Sequence, residues 1–215
     1  YCAGNGSGHE CSPSLTNVTF SGNSASYGGA MYNNGATGTS RPNLTNVIFS
    51  GNSAISSGGA MYNDGTGGTS SPRLTNVTFS GNSASNGGAM YNYGSGGTSS
   101  PSLINVTFSG NRATNGGGVM FNYGGSGTSS PSLTNVILWG NQAGSGNQLF
   151  NYYASPVLSY TLIQSDTNDI VNDTSSVTWG PGILTDDPLF VAPVAATAAP
   201  TITGNYRLIF GSPAI

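Results

Sequence analysis

Acid/base or metal chemistry in this chain would have to come from seven carboxylates and one histidine: Glu10, Asp64, Asp166, Asp169, Asp173, Asp186, Asp187 and His9. Cleaving a polysaccharide takes two carboxylates facing each other across the scissile bond, or a group of them around calcium. Between Glu10 and Asp166 only Asp64 is acidic, and the chain has no lysine to serve as a base. Asp166, Asp169 and Asp173 could form a calcium loop, but they miss the EF-hand spacing, and a solvated loop accounts for them better. His9 has no aligned Ser or Asp partner. A polysaccharide lyase or hydrolase therefore ranks last of three functional readings, and no cofactor is expected.

Cys2 and Cys11 are the two cysteines, close together ahead of the first regular segment. They read as a disulfide-closed segment, 1–11, which implies an oxidising compartment and contributes about 2–3 kcal/mol if unstrained. A metal pair with His9 and Glu10, or two free thiols, are the rivals, and no CxxC spacing supports a metal. Asn17, Asn43, Asn76, Asn105 and Asn172 each open an N-x-Thr triplet, the acceptor pattern for N-glycosylation. Asn43 and Asn172 lie in loop-like positions and are the better acceptors. Asn17, Asn76 and Asn105 belong to a row with Asn46 and Asn135, which lack the Thr, so a ladder of hydrogen-bonded amides competes there.

The most suggestive surface feature is a row of aromatics, Tyr32, Tyr62, Tyr91, Phe121 and Phe150, each following Met31, Met61, Met90, Met120 or Leu149. In a strand, neighbours point to opposite faces. With the Met row inward, the aromatics form an outer stripe, with Tyr93 and Tyr123 nearby. Such a stripe suits sugar rings or another subunit, unless the adjoining Gly/Ser/Thr loop folds over it.

The elements that must position these residues are set by repetition. Pro13 to Ala25 with Gly28 to Asn33 returns from Pro42, Pro72 and Pro101, and more loosely from Pro131 to Asn151. Phe20, Phe49, Phe79, Phe108 and Leu138 are separated by 29, 30, 29 and 30 residues. A fixed period of this size is the mark of a stacked-repeat architecture. Leu15 and Val18 have opposite parity in an extended chain, so both face inward only if the chain bends at Thr16-Asn17. Asn tolerates the left-handed corner this needs. A second corner falls at Ser21-Gly22-Asn23, and Ala30-Met31-Tyr32 forms a third strand.

Three strands per coil, each pairing with its copy about 29–30 residues on, predict an all-β, right-handed parallel β-helix. Like residues then stack: the Phe row above, a Leu row from Leu15 to Leu158, a Val row from Val18 to Val136, and the Met row. Regular coils are expected over 12–163, with a sixth coil from Ser155. Residues 164–215 would make irregular terminal coils and a C-terminal cap, using Val177 to Trp179 and Ile202 to Phe210 as strands.

Only 5% of the residues are charged and the net charge is −3, so nothing offers a basic stripe for nucleic acid. The longest apolar run, Leu189 to Ala199, is short and holds Pro193, too little to span a bilayer. The missing initiator Met and signal-type segment make the chain look processed or trimmed.

The Phe20-Ser-Gly-Asn23 and Gly28-Gly-Ala-Met31 words, with their copies, resemble the FxxN and GGA[ILV] repeats of polymorphic outer-membrane proteins and related bacterial β-helix surface proteins. The tail, Asp187 to Phe190 and Tyr206 to Ile215, resembles the end of secreted bacterial β-helix domains. The resemblance implies an extracellular or cell-surface location. The leading expectation is a non-enzymatic structural protein that self-assembles head to tail into a filament or layer, its partner being itself. The alternative is an adhesin or carbohydrate-binding module, with surface glycans or a host receptor as partner.

Overall fold

The computed structural model describes residues 1–164 and 168–215, and the chain forms a parallel β-solenoid of about six turns with about 29 residues per turn. Every expected ladder is in register: Leu15 pairs Leu44, Phe20 pairs Phe49, Phe49 pairs Phe79, Phe79 pairs Phe108, and Phe108 pairs Leu138. The Phe20, Phe49, Phe79 and Phe108 rings stack at 5.0, 4.7 and 4.7 Å between centroids, within 7° of parallel. Phe49, Phe79, Phe108, Met61, Met90 and Met120 are wholly buried. Each coil contributes only a few large apolar side chains, so stability accumulates along the stack rather than within a layer.

Two backbone devices turn the chain. Asn17, Asn46, Asn76, Asn105 and Asn135 all take φ between 54° and 58°, the left-handed corner that lets Leu15 and Val18 share one core. The glycines of the second corner, Gly22, Gly51, Gly81, Gly110 and Gly140, take φ between 58° and 68°.

The faces of the coil are partitioned differently from the sequence-based expectation. The Leu and Val-Phe segments belong to one long sheet, and in the middle coils they run as single strands, such as Arg73–Ser80 and Ser102–Ser109. A separate short sheet is built from Ser24–Tyr27, Ser53–Ser57, Ser83–Asn86 and Arg112–Gly116. The third face carries the Met and aromatic rows on strands such as Met31–Asn34 and Met61–Asp64. The first eleven residues are part of the stack as well: Cys2–Ala3 pairs Asn33 and Asn34, and Glu10–Cys11 pairs Thr39 and Ser40. A Cys2–Cys11 disulfide closes that half-coil.

The core also contains amides. Asn33, Asn63, Asn92 and Asn122 each donate Nδ2–H to Oδ1 of the next copy, at 2.7–2.8 Å, and Asn151 continues the row to Asn172. A second row follows the glycine corner. There Asn23, Asn52, Asn82 and Asn111 each donate both backbone N–H and Nδ2–H to Oδ1 of the following copy. The Nδ2 groups of Asn52, Asn82 and Asn111 also donate to the carbonyls of Phe20, Phe49 and Phe79. Burying a primary amide is tolerable because, past the first rung, where the buried Asn33 Oδ1 has no partner, the repeat supplies a partner to both of its ends.

In-register pairing continues beyond residue 163. Ile170–Asp173 pairs Leu149 to Tyr152, Thr178–Trp179 pairs Val157 and Leu158, and Leu184 bridges Leu162. The final segment packs along the flank of the stack. Phe190–Ala192 and Asn205–Leu208 form an antiparallel hairpin, joined through a 3-10 turn at Ala196–Ala198. This segment lies as a strap along the glycine corners: Val194 against Gly110, Thr201 against Gly81 and Ile202 against Gly51. The Thr201 N–H donates to the Gly81 carbonyl at 2.9 Å.

Candidate functional site

Strand alternation puts Met31, Met61, Met90, Met120 and Leu149 inside and Tyr32, Tyr62, Tyr91, Phe121 and Phe150 on the outer face. From Tyr32 to Phe150 the centroids are 5.0, 5.2, 5.0 and 4.6 Å apart, with planes tilted by 5–20°. Tyr1 adds a further ring 5.5 Å from Tyr32. Two residues along each strand lies a second outer row, Tyr93, Tyr123 and Tyr152, stacked at 5.0 and 5.1 Å. The loop runs beside this second row, where a Cβ added at Gly125 would sit 2.7 Å from the Tyr123 ring.

This geometry decides what the first row offers. A planar ring attracts a ligand mainly through its π-face, and here each face within the row is taken by the neighbouring ring. The row therefore presents ring edges to its surroundings. Tyr62 is 9% exposed. Burial, reinforced by the charge of Asp64, holds the Tyr32 and Tyr62 hydroxyls above the ordinary tyrosine range, and the Tyr32 hydroxyl also donates to Asp64 Oδ2 at 2.9 Å. Burial raises Tyr91 similarly. Asp64 is further used by Thr66, whose N–H and hydroxyl both donate to Oδ1.

The other expected acids are dispersed. Glu10 accepts from the Ser12 hydroxyl, Asp187 accepts from the Leu189 N–H, and Asp169 is buried near the end of the stack. Asp173 and Asp186 are exposed, and Asp166 lies outside the described residues. His9 Nδ1 faces the Asn5 carbonyl at 3.2 Å. Among the described residues no group of three or more His, Cys, Asp or Glu side chains is placed to hold a metal ion.

The asparagine triplets fall into two groups. Asn17, Asn46, Asn76, Asn105 and Asn135 form an exposed amide ladder, in which the last four each donate Nδ2–H to the Oδ1 of the preceding copy at 3.1–3.2 Å. Asn43 and Asn172 are not in loops. Asn43 begins the strand Asn43–Thr45 with an exposed side chain, and Asn172 is the last rung of the inner amide row, accepting from Asn151 at 2.8 Å.

Sequence reasoning missed the end of the stack. There the core rows terminate in Ile163, Ile170, Trp179 and Ile183, which line a cavity of about 440 Å³. Trp179 closes the Leu row and is 52% exposed. At the opposite end, Leu15, Val18 and Phe20 are half-buried, whereas Leu44, Val47 and Phe49 one coil further in are 0% exposed. Ile170–Asp173 and Thr178–Trp179 end their sheets on one side, and Ser14–Thr16 and Ser24–Tyr27 end theirs on the other. The apolar residues among the irregular terminal coils, Val177 to Trp179 included, were the available signal.

The Chlamydia polymorphic membrane protein repeat matches residues 17–34, 46–64, 76–93 and 105–120, each match running from the asparagine corner into the Met and aromatic strand. No curated protein and no solved structure matches the chain.

Proposed function

We propose that this chain, whose coils carry Chlamydia polymorphic membrane protein repeats, is a non-enzymatic structural module that extends by stacking the first coil of one copy on the last coil of the next. The repeat family indicates a surface, outer-membrane-associated setting. No helix among the described residues is long and apolar enough to cross a membrane.

One observation carries the reading: the two ends continue the same rows. Trp179 ends the row that Leu15 begins, Thr178 ends the row that Ser14 begins, and Asn172 ends the row on which Cys2 sits. A second copy placed one coil beyond Trp179 meets a matching sheet edge on both outer faces and fills the end cavity with Leu15 and Phe20. Unpaired parallel edges favour such an addition, and a head-to-tail contact of unlike ends propagates rather than closes. Negative-stain electron microscopy of the purified chain tests this. Threads with an axial repeat of one subunit are expected, and dispersed short rods at every concentration would overturn it.

A second reading, the glycan-binding adhesin, draws support from a different place than the aromatic row. A groove of about 610 Å³ runs between the C-terminal residues Pro213, Ala214 and Ile215 and the long sheet, lined by Asn105, Asn135, Thr107 and the exposed Tyr160. Amides beside an exposed ring suit a sugar. Glycan-array binding that disappears in Tyr160→Ala would favour this reading.

A further inference from the structure

We propose that the outer row Tyr93, Tyr123 and Tyr152 is a site of oxidative cross-linking, where carbon–carbon bonds between neighbouring phenols fasten successive coils together. The inference is independent of whether copies stack end to end.

Coupling two tyrosines needs two phenoxyl radicals whose ortho carbons can meet. In a flexible chain that meeting limits the yield. Here Tyr93 and Tyr123 lie 5.0 Å apart with planes 25° from parallel, and Tyr123 and Tyr152 lie 5.1 Å apart at 24°. Strand pairing fixes both contacts, since Tyr93 is the register partner of Tyr123 and Tyr123 that of Tyr152. Holding two reactants at contact replaces a bimolecular encounter with a local rearrangement. The row is half-buried and so reachable by an oxidant, whereas Tyr62, the middle tyrosine of the first row, is 9% exposed. The first row also passes to Phe121 and Phe150, which have no phenolic hydrogen to lose.

The co-reactant is hydrogen peroxide, used by a haem peroxidase. Each tyrosine gives one hydrogen atom, as proton and electron, to the oxidised peroxidase. The two radicals join through ring carbons ortho to oxygen, and the hydrogens on those carbons move to the oxygens, restoring both phenols. One bond forms, two hydrogens leave the protein, and one peroxide becomes two waters.

The test treats the dilute full chain with a haem peroxidase and hydrogen peroxide, then unfolds and trypsinises it. Cleavage after Arg112 places Tyr93 and Tyr123 on different peptides. The expected product joins peptide 74–112 to 113–207, lighter by two hydrogens per bond, with blue dityrosine fluorescence. Tyr123→Phe, which keeps the stacked ring, removes both bonds, while Tyr93→Phe removes the first and leaves Tyr123–Tyr152. Pre-unfolding in urea lowers the yield of joined peptide. Separate peptides of unchanged mass, bonds formed only between molecules, or the same product from Tyr123→Phe would overturn the proposal.

Discussion

The backbone and side-chain amides of Asn82 both donate to one atom, Oδ1 of Asn111, at 3.0 and 2.8 Å, while Asn82 Oδ1 receives the same pair from Asn52. Its Nδ2 also donates to the Phe49 carbonyl. Asn82→Ala would leave the backbone N–H and one Nδ2–H of Asn52 without their acceptor in a buried setting, and would take one donor from the Phe49 carbonyl. At about 1–3 kcal/mol for each orphaned donor, the loss should reach roughly 2 kcal/mol or more. Urea unfolding would show it, and a midpoint unchanged from wild type would contradict the role given to the row.

The strap gives a matched comparison between two glycines. Gly22 and Gly81 take φ of 65° and 58°, so Ala at either position meets the same backbone penalty, about 1–2 kcal/mol. A Cβ at Gly22 meets nothing within 4 Å, whereas at Gly81 it would lie 2.4 Å from the Thr201 carbonyl oxygen. Gly81→Ala should therefore lift the strap and expose residues 190–210 to limited proteolysis, and Gly22→Ala should not. Equal cleavage of the two variants would show that the strap is not held at this corner.

Alkaline pH should weaken the fold through its tyrosines. Burial raises the Tyr32, Tyr62 and Tyr91 hydroxyls above their usual range in the folded chain. In the unfolded chain they ionise near pH 10. Above that pH the folded state binds more protons than the unfolded one, so stability falls as pH rises and is fully present below it. Circular dichroism melts should hold level from neutrality to about pH 9 and fall beyond it. Tyr91→Phe should lessen the fall, and an unaltered melting temperature at high pH would contradict the burial of this row.

How much of this was legible in sequence varies by residue. The Asn17 corner followed from the parity clash between Leu15 and Val18, and its φ of 58° meets that requirement. The side taken by the aromatics followed from strand alternation beside Met31 and its copies. The inner rows through Asn33 and Asn52 were not foreseen as core, because an amide is costly to bury until its partner in the next coil is known. Their recurrence in every clear copy was the available sign. The Ser24–Tyr27 strand lacks apolar alternation, and only the corner before it, Ser21-Gly22-Asn23, was read from the sequence. Ile202 to Phe210 resembled another coil, but no repeat register tied it to the stack, and it packs on the flank instead. The closing of ring faces within the Tyr32 row depends on side-chain torsions that no spacing encodes.

Head-to-tail stacking is tested most directly by a cross-link placed at the continued register. Ser14 and Thr178 are the exposed first and last members of one row. If copies stack, Ser14 of one molecule stands beside Thr178 of another at the spacing of neighbouring strands, about 4.8 Å, which a disulfide can bridge. The Ser14→Cys/Thr178→Cys chain should form a ladder of linked multimers under mild oxidation, while either single variant stops at dimers. A double variant that stays monomeric, or yields no more than the single variants do, would contradict the account.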